Sequence, residues 1–415
     1  MEKIMPYGLI GRKLGHSDSK IIHEKFGLTE YALHEIEPDE IESFLNTPGL
    51  KGLNVTIPYK RDVIPFLDAL SDEARAVGSV NTIVFTDDGR KIGHNTDVYG
   101  FMYMTKRAGI DVRNKKVLIF GSGGASAAAK RAMENMGARE ILIISRSGKN
   151  NYENLSLHED AQILINATPV GMYPNPEGTI IEPSRFKNAE GALDMVYNPS
   201  VTEFLRKARE CSIPSSNGLP MLVAQAKLAE EYFLNRNIPD AETERVLSQV
   251  ARNRISIALI GMPGCGKTSI GKALGEITGF PVYDADAEIE REEGMSIPEI
   301  MQQKGISYFR DLESKIIDRL SLLRGAVIVT GGGAVLREEN RIFLKRNARV
   351  YRIQRDISLL PTEGRPLSMT NDLRKMAEER EPFYKAAMDK EIMNDSTVKQ
   401  AAEAIRRDFY ENTRD

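Results

Sequence analysis

Residues 261–268 read GMPGCGKT, an instance of G-x-x-x-x-G-K-[ST], and the residue types say what the stretch can do. Its glycines let backbone N–H groups turn inward around phosphate oxygens, through conformations that a Cβ would block. Lys267 carries a charge that reaches β- and γ-phosphates, and Thr268 offers its hydroxyl to Mg²⁺. Gly261, Gly264, Cys265, Gly266, Lys267, Thr268 and Ser269 are the candidate nucleotide cradle, with Cys265 read as a small packed side chain. A second glycine loop, GSGGAS at 121–126, has the form of a dinucleotide loop but departs from G-x-G-x-x-G at Ser126. Arg146 gives it context. No Asp or Glu stands at 145–147, where an NAD site needs a carboxylate on the ribose, and a guanidinium suits a 2′-phosphate. The expected dinucleotide is therefore NADP(H). Elsewhere Lys60 follows an apolar segment, and the segments at 78–82 and 93–97 end in Asn81, Thr82 and Asp97. Together they offer a lysine, a carboxylate and amides.

These groups act only if secondary structure brings them to strand ends, where sites collect. The apolar run 255–260 predicts a buried parallel strand, and a helix starting near Gly266 adds its positive end to the phosphate loop. Residues 116–120 predict a second such strand, followed by an alanine-rich helix to Met136 and a strand at 140–144. A strand at 7–10 leads through a polar turn to a helix ending at Phe26, and the turn alone makes Ser17 or Ser19 a helix N-cap. A strand over 281–286 should end in Asp284 and Asp286, and one at 326–330 runs into three glycines, which suggests close backbone approach to a ligand. Arg310 falls on a helix, and Pro382 is expected to break one. Helices are also expected at 221–235 and 240–251. Alternating strands and helices of this kind make an α/β protein.

A chain of 415 residues has room for two or three domains, and 41% hydrophobic with 28% charged residues is globular composition. A net charge of -3 leaves no basic footprint for nucleic acid, and no apolar run approaches the roughly 18 residues of a membrane span. The apolar stretch near the N-terminus is too short for a signal peptide, so a cytoplasmic protein acting on small molecules is expected. Cys211 and Cys265 have no metal-ligand spacing and fall in separate expected domains.

From about residue 5 to 250 the chain resembles the shikimate dehydrogenase family. The motifs are YGLIGRKLGHSDS at 7–19, GLNVTIPYK at 52–60, GSVNT at 78–82, NTD at 95–97, GSGGAS at 121–126, NATPVGM at 166–172, DMVYNP at 194–199 and GLPMLVAQA at 218–226. The resemblance implies that Ser17, Ser19, Thr56, Asn81, Asp97 and Gln225 hold the substrate, with Lys60 and Asp97 as the catalytic pair. It implies that Gly121, Ser122, Gly123, Gly124, Ala125, Ser126, Arg146, residues 166–169 and Met221 surround NADP(H). The pairing suits ketone reduction, which needs a hydride on carbon and a proton on oxygen that a lysine beside a carboxylate can deliver. Lys20 replaces a usual proline, Ser145 a usual Asn, and the stretch from Arg146 to Asn166 is short, so 148–160 reads as a trimmed crossover.

From about residue 255 to 410 the chain resembles the shikimate kinase family, through GMPGCGKTSIGK at 261–272, YDADAEIE at 283–290, YFRDLE at 308–313, TGGG at 330–333, GRPLS at 364–368 and REPFY at 380–384. That implies Asp286, Arg310, Gly332 and Arg380 as shikimate contacts, with Asp286 deprotonating the attacking hydroxyl. It also implies Lys267, Thr268, Asp284 and Mg²⁺ on ATP, and Arg365 on a mobile lid neutralising the transferred phosphoryl. The lid segment 359–363 lacks an arginine that many relatives carry.

The expected architecture is a two-domain dehydrogenase, with an α/β substrate domain at 1–98 and 219–251 and a Rossmann NADP domain at 99–218. A linker at 252–254 joins it to a P-loop kinase domain at 255–415, of the kind seen in nucleoside monophosphate kinases. The expected activity is bifunctional: NADPH-dependent reduction of 3-dehydroshikimate, then ATP-dependent phosphorylation of shikimate. The alternatives are an NAD-linked quinate or shikimate dehydrogenase in the first half, or a metabolite sensor that keeps both folds. Intact Lys60, Asp97, Lys267 and Asp286 argue against the sensor.

Overall fold

The computed structural model describes residues 5–15, 17–360 and 373–412, so Arg365 and most of the expected lid lie outside the described residues. The chain divides into two compact units. One comprises Met1–Tyr197 and Thr202–Gln249, the other Asn198–Val201 and Val250–Arg414, and the boundary falls inside the helix Asp240–Arg252.

The first unit contains two sheets. Strands β1 (Tyr7–Gly11), β2 (Tyr31–Glu35), β3 (Gly52–Val55), β4 (Ala69–Leu70), β5 (Thr82–Phe85) and β6 (Lys91–His94) lie in the order β2-β1-β3-β5-β6-β4. The β1 strand runs parallel to both neighbours, whereas β5 is antiparallel to β3 and β6. The β3 strand ends at Val55, and a turn then carries the chain to Lys60. Tyr59 anchors that turn, its ring buried and its hydroxyl donating to the Ile36 carbonyl at 2.5 Å.

The second sheet is parallel throughout: β7 (Lys116–Phe120), β8 (Glu140–Ile144), β9 (Ile163–Asn166), β10 (Gly191–Asp194) and β11 (Ser215–Ser216), in the order β11-β10-β9-β7-β8. Phe120 is level with Ile144 on one side and Asn166 on the other, so three strand ends open onto one edge. Between β8 and β9 the trimmed crossover forms a 3₁₀ turn, Leu155–His158, and no α-helix. Local hydrogen bonds account for this. Asn151 Oδ1 accepts the Glu153 and Asn154 backbone N–H groups at 2.9 and 3.2 Å, offering the backbone an alternative to helix.

The helix Leu219–Leu234 packs on the helix Asp97–Arg107, and Gly100 permits the approach: a Cβ there would lie 2.6 Å from the Met221 carbonyl oxygen. This contact brings Gln225 within hydrogen-bond reach of Thr96, the residue before Asp97.

The second unit is one parallel sheet, β13-β14-β12-β15-β16, built from β12 (Ser256–Ile260), β13 (Val282–Asp284), β14 (Val327–Val329), β15 (Ala348–Gln354) and β16 (Lys390–Met393). The central β12 strand buries Ile257, Leu259 and Ile260 completely, each worth about 1.5–3 kcal/mol of transfer free energy. Two expectations need correction here. The strand carrying the acidic pair stops at Asp284, and Asp286 stands in the first turn of the helix Ala285–Glu293, because the Asp284 carboxylate caps that helix by accepting the Asp286 N–H at 3.1 Å. Pro382 does not end a helix either. It sits on the exposed side of the continuous helix Leu373–Ala387, where the buried stripe Met376, Arg380, Tyr384 and Ala387 holds the element against the core despite the missing N–H.

Candidate active sites

In the first unit, Lys60 and Asp97 meet at 2.5 Å between Nζ and Oδ2. The lysine comes from the turn after β3 and the carboxylate from the start of the helix Asp97–Arg107. The other carboxylate oxygen accepts the Asn81 amide at 2.9 Å, and the same amide donates to Thr96 Oγ1 at 3.0 Å. Thr96 in turn donates to Gln225 Oε1 at 3.4 Å. Four residues expected in the site, Lys60, Asn81, Asp97 and Gln225, therefore share one hydrogen-bonded cluster, with Thr96 an addition that sequence reasoning missed. Both members of the Lys60–Asp97 pair keep some exposure, 27% and 14% of their side chains, which leaves a face open to a ligand.

Ser17 and Ser19 hydrogen-bond to each other at 3.2 Å. The helix Ser19–Phe26 has Asp18 rather than either serine at its N-cap position, although Ser17 Oγ accepts the Ser19 N–H at 3.3 Å. Thr56 is fixed through its backbone N–H, which donates to the Ile10 carbonyl, and its side chain is half-buried.

The dinucleotide loop opens where β7 ends. Gly121 has φ +113°, and a Cβ on it would lie 2.7 Å from the Ala167 carbonyl oxygen, so glycine is required twice over. Ser122, Gly123, Gly124 and Ala125 are exposed, Ser126 is buried beneath them, and Gly123 caps the helix Gly124–Asn135 without a side-chain hydrogen bond. Backbone donors at that helix start suit a phosphate. Arg146 is exposed two residues past β8, at the same edge of the sheet. Met221 is half-buried against the apolar core that includes Phe101, Ile119 and Ile165.

Asn166 closes the other side of this edge. Its Oδ1 accepts from Thr168 at both the backbone N–H (3.0 Å) and the hydroxyl (2.7 Å), and its amide donates to the buried Asp194 at 2.9 Å. Burial pushes the Asp194 carboxyl up to about 7, against the opposing pull of hydrogen bonds from Thr202, the Val196 N–H and Asn166.

In the second unit, the phosphate loop wraps the Lys267 ammonium, which donates to the Gly261 and Met262 carbonyls at 2.9 and 3.0 Å. Gly261, Gly264 and Gly266 all have positive φ, and a Cβ on Gly261 would lie 2.4 Å from the Ile353 carbonyl oxygen. Cys265 is fully buried, and its carbonyl accepts the Asn394 amide at 2.7 Å. Thr268 Oγ1 donates to Asp284 Oδ2 at 3.0 Å. A hydroxyl next to a carboxylate is a fitting pair of oxygen donors for Mg²⁺, which keeps most of its coordination for water and phosphate.

A cavity of about 520 Å³ adjoins this loop, lined among others by Lys267, Asp284, Asp286, Arg310, Glu313 and Arg380. Asp286 has one carboxylate oxygen closed to solvent and without a hydrogen-bond partner. Burial, with repulsion from Asp284 and Glu313, raises its carboxyl to about 6, while Lys267 and Arg310 pull the other way. Arg310 is held by Glu313 at 2.6 Å, and Arg380 and Tyr384 donate to the Gly332 carbonyl at 3.0 and 2.6 Å. Glu313 and Tyr384 were missed in the sequence, where only the i, i+3 spacing of Arg310 and Glu313 hinted at the pair. The three glycines line this cavity and also leave room for their neighbours. A Cβ on Gly331 would meet Asp286 Oδ1 at 2.7 Å, one on Gly332 would meet Pro263 at 2.6 Å, and one on Gly333 would meet the Arg310 guanidinium at 2.3 Å.

Comparison with known proteins separates along the same division. Residues 9–83 match the family model of the shikimate dehydrogenase substrate binding domain, and residues 263–409 match that of shikimate kinase. Over 268 residues the chain is 36% identical to a shikimate dehydrogenase (NADP(+)) of Clostridium perfringens, covering 59% of this chain and 97% of that protein. Among solved structures, a chorismate mutase/shikimate 5-dehydrogenase fusion protein from Clostridium acetobutylicum aligns with a TM-score of 0.56 at 34% identity, covering 59% of this chain and 96% of the other. A quinate dehydrogenase from Corynebacterium glutamicum, in complex with NAD, aligns with a TM-score of 0.53 at 26% identity, covering 59% and 98%.

Proposed function

The chain belongs to the shikimate dehydrogenase family, and on that premise we propose that it is a bifunctional enzyme performing two consecutive reactions. It reduces 3-dehydroshikimate to shikimate with NADPH, then phosphorylates shikimate with ATP. The observation that carries the reading is the presence, each within its own unit, of a lysine–carboxylate pair at 2.5 Å together with a dinucleotide loop, and of a phosphate loop adjoining a cavity lined by Asp286.

In the first reaction, bound NADPH supplies the hydride to the ketone carbon. Lys60 gives the ketone oxygen its proton, and Asp97 orients the ammonium while Asn81 fixes the carboxylate. Ser17, Ser19, Thr56, Asn81 and Gln225 hold the substrate's carboxylate and hydroxyls. Gly121 to Ala125 would hold the pyrophosphate, Met221 would face the nicotinamide, and Arg146 would pair with the 2′-phosphate.

In the second reaction ATP supplies the phosphoryl group, and Thr268 with Asp284 would hold a Mg²⁺ ion that would supply neutralising charge to the phosphates. Asp286 takes the proton of the attacking hydroxyl, and a carboxyl titrating at about 6 is mostly ionised at neutral pH while remaining a useful base. Arg310 and Arg380 hold the substrate carboxylate beside Gly332, Lys267 stabilises the transferring phosphoryl, and Arg365 is assigned to the same task. The reading places the chain in the cytoplasm, where NADPH and ATP are replenished. A quinate-specific, NAD-linked first half finds no acidic residue at 145–147 to support it.

The deciding test is a coupled assay with 3-dehydroshikimate, NADPH and ATP, omitting each in turn. Shikimate 3-phosphate should form only with all three, and shikimate should accumulate when ATP is left out. Oxidation of NADPH without 3-dehydroshikimate, or no phosphorylation of added shikimate, would sink the reading.

A further inference from the structure

A continuous hydrogen-bonded path crosses the interior of the first unit from the helix Leu219–Leu234 to the Lys60–Asp97 pair. It starts at Glu230, fully buried, whose Oε1 accepts the Arg236 guanidinium at 2.7 Å and whose Oε2 lies 3.3 Å from His23 Nδ1. The other ring nitrogen of His23 is 3.0 Å from Asn54 Oδ1, and the imidazole stacks on Tyr31 at 4.3 Å between ring centroids. Tyr31 also donates to Asn54 Oδ1, at 2.8 Å, and interacts with the Ser19 hydroxyl.

The Tyr31 hydroxyl, donating to Asn54 Oδ1, fixes the amide's orientation. Its Nδ2 then faces Thr82 Oγ1 at 3.2 Å and the Asn81 carbonyl at 3.4 Å. Thr82 passes the order on, its hydroxyl donating to Asn81 Oδ1 at 3.2 Å. Because that oxygen also accepts the Thr96 N–H at 2.7 Å, the Asn81 amide nitrogen has one direction left, toward Asp97 Oδ1 and Thr96. Asp97 Oδ2 is thereby left to Lys60. From Asn54 onward, each group along the path dictates the donor sense of the next.

Such a path is costly to build. His23, Asn54, Asn81, Thr82 and Glu230 are each at most 5% exposed, and an ionised carboxylate at full burial is unfavourable unless paired and hydrogen-bonded. Apolar residues would close the same core more cheaply. What the polar path adds is a fixed orientation at its end, where the carboxylate must aim a lysine at a ketone. The elements it ties together are those that carry the expected substrate contacts: the helix Ser19–Phe26 with Ser19, β3 leading to Thr56, the β5 entry with Asn81, and the helix Leu219–Leu234 with Gln225.

We propose that Glu230, His23, Asn54 and Thr82 form a positioning relay that holds the Asn81 amide on Asp97 and so sets the geometry of the Lys60–Asp97 pair. The proposal rests on the dehydrogenase reading given above. None of the four touches the reacting atoms, and their effect reaches the substrate only through Asn81 and Asp97.

The test uses the full chain. Thr82→Val keeps the shape of the side chain and deletes the hydroxyl that joins Asn54 to Asn81. Its kcat for reduction of 3-dehydroshikimate should fall about tenfold, the size of one hydrogen bond misplaced at a reacting group, while the KM for NADPH stays at the wild-type value. Thr82→Ser should restore kcat, and Glu230→Gln, at the far end, should lower it by a smaller factor. Wild-type kcat in Thr82→Val, or a loss that Thr82→Ser does not restore, overturns the relay. Should Thr82→Val lose NADPH binding through misfolding, Glu230→Gln decides, and wild-type kcat there overturns the relay equally. A wild-type chain that reduces no 3-dehydroshikimate overturns the dehydrogenase reading itself, an outcome separate from an active wild type with an equally active Thr82→Val.

Discussion

At the scale of single residues, Arg146 and Glu313 do electrostatic work that can be measured apart from folding. Arg146 is exposed at the strand-end edge that carries the dinucleotide loop, and on the proposed reading its charge would meet a 2′-phosphate that NADH lacks. Arg146→Ala should raise the KM for NADPH by an amount corresponding to about 1.5–3 kcal/mol and change that for NADH little, and equal losses for both would remove its assigned role. Glu313 acts on Asp286 through its negative charge, which helps raise that carboxyl to about 6. The sign follows directly. A base works when deprotonated, so the kinase rate should fall on the acid side, and Glu313→Gln, by removing a repelling charge, should move that acid limb to lower pH. A pH profile of shikimate phosphorylation for both proteins checks it, and an acid limb that stays put would separate Glu313 from the titration.

Among the elements, the strand ends of β9 and β10 hold the buried Asp194, whose carboxyl stands at about 7 against an ordinary 3.8. Between those values the native state holds a proton that the unfolded chain has released, so this group costs the first unit stability as pH rises from about 4 to 7. Asp194→Asn can keep the Oδ1 acceptor for Asn166 and Val196 and turn an amide toward Thr202, and should flatten the pH dependence of the thermal midpoint over that range. An unchanged slope would assign it to other groups. The same elements show how far a sequence can be read. Strands flanked by glycine loops, 116–120 into 121–126 and 255–260 into 261–268, are visible because both the apolar run and the glycines are local signals. Asp286 was misplaced by a helix start, because an aspartate that caps a helix looks the same in sequence as one that ends a strand. Pro382 was misread because its tolerance depends on the buried stripe around it, which includes the charged Arg380. Glu313, Thr96 and the Glu230–His23 pair are long-range or buried-polar contacts, and single-sequence patterns carry no register between distant elements.

For the molecule as a whole, the residues proposed for the two reactions fall in separate units, with none proposed for both. Asp286→Asn should therefore abolish phosphorylation of shikimate while NADPH oxidation by 3-dehydroshikimate continues at the wild-type rate, and a parallel loss of both activities would mean that the units depend on each other. The cysteines offer an independent route to the same question. Cys211 is exposed in the first unit, whereas Cys265 is buried beneath the phosphate loop of the second. A thiol reagent should therefore label the native chain in two phases: Cys211 at once, and Cys265 only as fast as the loop opens. The chain carries its own clock for one unit, silent on the other, and a bound nucleotide should slow only the late phase.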